Sequence, residues 1–320
     1  LGMVYPLPFK LIEKFAKSVK RCIVAEELAP HIETMVKAAG IRVEGKNLFP
    51  LEGEFSAKLI RERILGEKPC AACANVPARP PVLCAGCPHR GVFYILSKLK
   101  LNVLGDIGCY TLGAVPPLSA MDAVVCMGAS VGMAIGFDKA DPEAHKHSVA
   151  VIGDSTFIHS GITGLIDAVY NKAKITVIIL DNRTTGMTGH QNHPATGKTI
   201  KNEDTYELDL AEVCRAVGVK NVRTVNPNDL AETEKAVKEE LAKEEVSVII
   251  AKKPCVLLTK KLYNGFKVNE KCKKCKACLK LGCPAIVNGK DGITIDVSLC
   301  TECGLCQNVC KFGAIDGEVK

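Results

Sequence analysis

The sequence predicts an α/β protein: a mostly parallel sheet covered by helices, followed by a smaller α+β domain dense in cysteine. Three observations carry this. Candidate strands at 101–105, 123–126, 149–152, 175–180, 221–225 and 246–251 alternate with helical patterns, the rhythm of a parallel sheet with helices on both faces. Two of them, VAVI and ITVIIL, are apolar but for Thr176, as strands buried on both faces are. Beyond residue 254 the composition shifts abruptly to Cys, Gly and Lys.

Taken in order, residues 1–68 read helix (FKLIEKFAKSVK), strand (RCIVAEE), helix (APHIETMVKAAG), strand (IRVEG). Two short strands make a thin sheet, so this is a partial α/β domain. A Pro- and Cys-rich linker, PCAACANVPARPPV, fills 69–82, the sheet domain runs over 83–254 and the cysteine-rich domain over 255–320. A polar loop from Arg183 to Thr205 interrupts the sheet domain. A loop of that length inside a compact domain is usually a binding element or disordered.

Composition excludes several function classes. At 320 residues and 47% hydrophobic, the chain can bury more than one core. No apolar run approaches the ~18 residues that span a bilayer. The net charge of +7 is modest, and much of it sits in KCKKCKACLK; with few aromatics and no Trp there is no base-stacking surface, which argues against nucleic acid. Seventeen cysteines in a chain this long, with no secretory h-region, point to reduced, metal-ligating thiols and a cytoplasmic location.

The tail reads Cys272-x2-Cys275-x2-Cys278-x4-Cys283-Pro284, then Cys300-x2-Cys303-x2-Cys306-x3-Cys310. Three thiolates two residues apart can wrap three corners of a cubane cluster, while the fourth cysteine of each run serves the other cluster. That spacing assigns Cys272, Cys275, Cys278 and Cys310 to one [4Fe–4S] cluster, and Cys300, Cys303, Cys306 and Cys283 to a second. The x4 gap and Lys311, where proline is expected, depart from the usual pattern without removing a ligand. Zinc knuckles, the competing reading, take their ligands as two separated pairs rather than runs of three.

Two strands end on short oxygen-bearing side chains, Gly153-Asp154-Ser155 and Asp181-Asn182, with a helix expected between them from near Ser160. In an open parallel sheet, ligands sit at the carboxyl ends of strands. Oxygen donors there suit Mg²⁺ shared with a phosphate, and a helix N-terminus can face that phosphate. The alternative is a pair of acidic caps or turns. Gly153-Asp154 followed by Asn182 resembles the thiamine diphosphate motif, with Ser155 where Gly is common. That likeness implies Mg²⁺ held by Asp154, Asn182 and the backbone carbonyl of Thr184.

A thiamine motif and two clusters in one chain resemble the 2-oxoacid:ferredoxin oxidoreductases. RPPVLCAGCPHRG, DIGCYTLGAVPPLSAMDAVVCMGASVGMAIG and DNRTTGMTGHQNHPATG together resemble the alpha subunit of the indolepyruvate ferredoxin oxidoreductases, over nearly the whole chain. The resemblance implies oxidative decarboxylation of an aryl pyruvate such as indolepyruvate to its acyl-CoA, with electrons leaving through the clusters to an external ferredoxin. It implies cofactor contacts at Gly128, Gly153, Asp154, Ser155, Asn182, Thr184, Met187 and Thr188. It also implies a third [4Fe–4S] cluster on Cys84, Cys87, Cys109 and Cys255, the rival being that these thiols only line the pocket. Cys70-x2-Cys73 can instead pair with Cys84-x2-Cys87 as a zinc ribbon. Cys22, Cys126 and Cys214 sit in apolar patterns and are expected in the core.

Among histidines, His89 after the C-x-G-C pair and His190, with His193 nearby in the loop, would face cofactor or substrate; His89 and His190 are the catalytic candidates. Residues 1–68 are too short to be the pyrimidine-binding domain that thiamine enzymes need. The chain therefore reads as the C-terminal half of a larger polypeptide, incomplete alone, which also works with a beta subunit. Two alternatives stand beside this reading. One is a related oxidoreductase for another 2-oxo acid; the other is an electron-transfer subunit whose thiamine domain is vestigial.

Overall fold

The computed structural model describes residues 1–68, 79–259 and 263–319. Two compact units divide the chain, Leu1–Ala78 and Arg79–Lys320. Cys70 and Cys73, with most of the linker, lie outside the described residues.

The first unit carries α1 (Phe9–Ser18), α2 (His31–Ala38) and α3 (Ala57–Leu65). Leu7, Ile12, Val36 and Val43 form its small core. The two expected strands reduce to one parallel bridge, Ile23 with Glu44. Glu44 is also tied by its side chain to Arg21. With no third strand among these residues, the segments lack the neighbours that would extend a ladder. Helix α3 was not expected from the pattern; Ser56 caps it, accepting from Leu59 N at 3.1 Å, and Gly66 ends it in the left-handed conformation.

The second unit is built on a six-stranded sheet. After α4 (His89–Leu99) come β1 (Asn102–Gly105), β2 (Ala123–Val124), α5 (Ala129–Ala140) and β3 (Ser148–Gly153). A helix then opens directly on the strand end: α6 (Asp154–Thr156) runs through a π-helical turn (Phe157–Gly161) into α7 (Ile162–Tyr170). Next are β4 (Thr176–Asp181), α8 (Leu210–Ala216), β5 (Asn221–Val225), α9 (Leu230–Leu241) and β6 (Ser247–Lys252). The strand order is β2-β1-β3-β4-β6-β5, and every pairing is parallel.

Burial follows the pleat. Val149, Val151, Ile178 and Leu180 share a core with Phe93 and Leu96 of α4 and Val237 of α9. Their sequence neighbours Ala150, Ile152, Val177 and Ile179 turn to the other face, against Val131 of α5, Leu165 of α7 and Cys214 of α8. The result is three layers, helix–sheet–helix, with β3 and β4 buried along their whole lengths.

The cysteine-rich tail belongs to the same compact unit. It holds β7 (Lys267–Val268), the hairpin β8 (Ile286–Gly289) and β9 (Gly292–Ile295), α10 (Leu305–Val309) and β10 (Ile315–Asp316). β10 returns antiparallel to β7, closing the domain on itself. Phe266, Leu281, Ile286 and Leu305 pack with Ile95 of α4 and Leu230 of α9. Asn228 Nδ2 donates to the Cys303 carbonyl at 3.0 Å, and Asn308 Nδ2 returns to the Asn228 carbonyl at 2.9 Å.

Two expectations need correction. The crossover helix begins at Asp154, not near Ser160. Gly153 is still extended as the last residue of β3, the helix opens on the next residue, and the π turn absorbs an extra residue before the regular amphipathic helix resumes. Cys126 is exposed rather than core, because β2 is only two residues long and the chain leaves the sheet before it. Cys214 is buried as expected, and Cys22 is half-buried against the first unit's core. Among the described residues, no helix is long and apolar enough to cross a membrane.

Ile179 sits fully buried at the sheet centre. Ile179→Ala should destabilise by about 2–5 kcal/mol, through lost burial and a residual cavity. Thr224→Ala on the edge strand should stay within about 0.5 kcal/mol. Denaturant midpoints of the two variants check the contrast.

Candidate active site and thiol cages

The parallel sheet puts the chain exits of β1, β3, β4 and β6 on one edge, and the candidate residues follow those exits. Asp106 follows β1, Asp154 follows Gly153 of β3, Asn182 follows β4 and Cys255 lies three residues past β6. β3 and β4 are direct neighbours, Gly153 opposite Leu180. The Arg183 N–H, one residue past Asn182, accordingly donates to Asp154 Oδ2 at 2.8 Å.

A cavity of about 100 Å³ opens at this edge. Its walls include His89, Gly153, Asp154, Ser155, Asn182, Thr184, Met187 and Thr188, eight of the residues singled out from sequence, and also Cys109. Ser155 Oγ accepts from Thr185 Oγ1 at 2.8 Å, stitching the strand end to the polar loop. Thr184 Oγ1 is buried with no hydrogen-bond partner among the described residues. Gly128 stands behind the wall at the start of α5, with φ +87°; a Cβ there would meet Ser160 Oγ at 2.5 Å.

Electrostatics at the edge are set by burial. His89 is enclosed, edge-on to the Tyr110 ring at 5.8 Å, and burial lowers its pKa to about 4 against the opposing pull of Asp154. It is therefore a neutral imidazole at pH 7. His193 is buried too, its Nε2 3.2 Å from Asp154 Oδ2, without an aligned hydrogen bond at either ring nitrogen. His190 is exposed, with φ +62°, and is not part of the cavity wall. Asp181 is buried beside Asp154; burial first, and that neighbouring carboxylate second, push its pKa up to about 6.

Sequence reasoning passed over two residues here. Asp106 is completely buried and accepts from Gly128 N at 2.8 Å, Ser130 Oγ at 3.1 Å and Ile107 N at 2.8 Å. It thereby binds the turn after β1 to the start of α5. Tyr110, whose hydroxyl donates to the Ile107 carbonyl at 2.9 Å, fixes the same turn. The signal was present: Asp106 ends an apolar run as Asp154 and Asp181 do.

The thiols form three groups. Cys283, Cys300, Cys303 and Cys306 line one cavity, together with Ala85, Gly86 and Arg90 from the start of the sheet domain. Cys272, Cys275, Cys278 and Cys310 line another. These are the two sets of four that spacing groups together, each drawing its fourth member from the other run. Cys84, Cys87, Cys109 and Cys255 gather at the sheet edge. Burial raises the pKa of Cys87 to about 12, and Cys84 and Cys255 add to the rise. Burial likewise raises Cys109, with contributions from Cys255 and Cys84. Cys255 is raised by burial, then by Cys84 and Asp154, so this group adjoins the cavity at Asp154. Among the described residues, no three His, Cys, Asp or Glu side chains converge on a point fit for a single metal ion.

The sheet domain matches the family described as thiamine pyrophosphate enzyme, C-terminal TPP binding domain, over residues 106–251. The tail matches the 4Fe-4S binding domain family over residues 293–316. The indolepyruvate oxidoreductase subunit IorA of Methanothermobacter thermautotrophicus is 39% identical over 347 residues, a match covering 100% of this chain and 56% of that protein. The chain is a homologue of IorA. The protein of the same name from Archaeoglobus fulgidus is 38% identical, over 98% of this chain and 55% of its own length. This IorA homologue thus spans a little over half the length of the curated relatives it matches. A more distant likeness, 26% identity over 53% of this chain and 68% of that protein, links it to the 2-oxoglutarate synthase subunit KorB of Archaeoglobus fulgidus.

Asp181 generates a pH prediction. Its ordinary value is 3.8 and its folded value about 6, so its contribution to stability is full below about 3.8 and is lost as pH rises through about 6. Asp181→Asn should therefore make the metal-free protein more stable at pH 7 and flatten the fall in stability between these pH values. Thermal unfolding across pH 4 to 7.5 checks this; a variant less stable than the parent at pH 7 contradicts it.

Proposed function

We propose that this chain is the thiamine diphosphate and iron–sulfur portion of an indolepyruvate:ferredoxin oxidoreductase. In that role it serves oxidative decarboxylation of an aryl pyruvate to its acyl-CoA. One observation carries the reading: a cavity walled by Asp154, Asn182 and Thr184 at the sheet edge adjoins a group of four thiols. The 35–39% identical relatives, all indolepyruvate oxidoreductase subunits by name, support the substrate.

The residues present fit the cofactor. Asp154 offers a buried carboxylate, Asn182 and Thr184 lie one loop away, and the orphaned Thr184 Oγ1 is an oxygen in want of a partner. These three would hold Mg²⁺ with the diphosphate, Thr184 through its backbone carbonyl as the motif has it. Gly128, Ser155, Met187 and Thr188 would border the diphosphate. When bound, thiamine diphosphate supplies the carbanion chemistry that loss of CO2 from a 2-oxo acid requires. His89 presents a neutral ring to the cavity, and His190, exposed in the polar loop, is the substrate-side candidate.

The two four-thiol cavities of the tail fit two [4Fe–4S] clusters, and the group at the sheet edge fits a third. Burial raises the thiol pKa of Cys87, Cys109, Cys255, Cys278, Cys303 and Cys306, so loading must displace protons there, which a metal does readily. A pyrimidine-binding domain outside this chain, a beta subunit, coenzyme A and an external ferredoxin complete the proposed reaction, and its setting is the cytoplasm. The domain limits 69–82, 83–254 and 255–320 remain the proposed functional divisions.

Asp154→Ala should weaken Mg²⁺-dependent thiamine diphosphate binding roughly tenfold or more, a loss of about 1.4 kcal/mol or greater. Calorimetric titration with and without Mg²⁺ measures it. Binding indifferent to both Mg²⁺ and Asp154 would sink the assignment of this edge.

A further inference from the structure

Arg90 is the second residue of α4 and is only 2% exposed. Its Nη1 donates to the Leu281 carbonyl at 2.6 Å; its Nη2 donates to the carbonyls of Leu83 at 2.6 Å and Cys84 at 2.9 Å. Nε is buried without an acceptor among the described residues. Among the described residues, no carboxylate lies within 4.0 Å of it, the range of an ion pair. A guanidinium does not give up its proton in proteins, and a buried charge with no counter-charge is strongly unfavourable. Within ion-pair range no Asp or Glu of the described residues supplies that counter-charge, so negative charge on the adjoining thiol cage would stabilise it.

Its position says where that charge lies. Arg90 walls the cavity of Cys283, Cys300, Cys303 and Cys306, and grips the backbone at Cys84 on its other side. Burial raises the pKa of Cys87 and of Cys303, and in each the Arg90 charge pulls the other way. The two thiol groups meet closely at this point. Gly86 touches the Thr301 side chain so tightly that any Cβ would collide with it.

We propose that Arg90 is a positioning residue and the fixed counter-charge of the cluster held by Cys283, Cys300, Cys303 and Cys306. In this role it favours that cluster's reduced form and clamps the Cys84–Cys87 loop against its cage. This rests on the cluster assignment above. Reduction adds one negative charge to a cage that Arg90 borders, and nearby charge and hydrogen bonding are levers on cluster potential. Among the described residues, no comparable buried cation walls the Cys272, Cys275, Cys278 and Cys310 cavity, whose lysines, Lys273 and Lys276, are exposed.

The test is a redox titration of the anaerobically purified protein, followed by electron paramagnetic resonance, with iron counted in each sample. In Arg90→Gln, one tail cluster should shift to lower potential while the other keeps its value, and Arg90→Lys should restore most of the shift. Unchanged potentials in iron-replete Arg90→Gln overturn the proposal. If Arg90→Gln fails to hold iron, Arg90→Lys decides. A near-parental potential supports the charge role; a potential lowered despite the retained charge overturns it. Parental protein without any four-iron signal would overturn the underlying cluster assignment instead.

Discussion

Everything at the candidate site depends on parallel strand alignment. Because β1, β3, β4 and β6 run the same way, the residues that end each strand arrive at one edge. Asp106, Asp154, Asn182 and Cys255 are far apart in sequence, yet this single constraint gathers them. It also gathers the cost: three buried carboxylates, Asp106, Asp154 and Asp181, share one end of the sheet. Asp106 is compensated by the start of α5, and Asp154 is partly compensated by the Arg183 and Ser155 N–H groups. Asp181 is the least well paired, and its raised pKa is the visible consequence. A bound cation would relieve this concentration of negative charge.

The second constraint is the attachment of the tail. Ile95 and Leu230 supply apolar contact, Asn228 and Arg90 supply polar clamps, and all four come from the sheet domain. The Cys283 cavity is consequently walled in part by the loop between Cys84 and Cys87. The Cys272 cavity is walled by tail residues alone, and its Cys275 is exposed. On the proposed reading, this places the three thiol groups in sequence from the thiamine pocket to the surface.

Much of this was legible in the sequence, and the exceptions have physical causes. The six strands were readable because the central ones are short apolar runs and all six alternate with helical patterns, even β5, NVRTV, whose residues are largely polar. The grouping of the tail thiols was readable because cysteine spacing reflects which corners of a cage one turn of chain can reach. The start of α6 was not readable: GDSTFIHS has no apolar periodicity, and its helical form is imposed by the strand end and the π turn. The strands of residues 1–68 were overread, since β-type residues do not make a sheet without neighbours to bond. Asp106 was missed although it obeys the same rule as Asp154. Arg90 stands inside a quoted motif, but only tertiary contacts with Leu281, nearly two hundred residues on, give it a role.

We propose that three groups of four thiols in this chain each hold a four-iron cluster. Iron and zinc counted per chain in anaerobically purified protein test it most directly. The account predicts ~12 irons and no stoichiometric zinc. A count near 8, or zinc in place of iron, would contradict it, leaving Cys84, Cys87, Cys109 and Cys255 as pocket lining or as part of a zinc site.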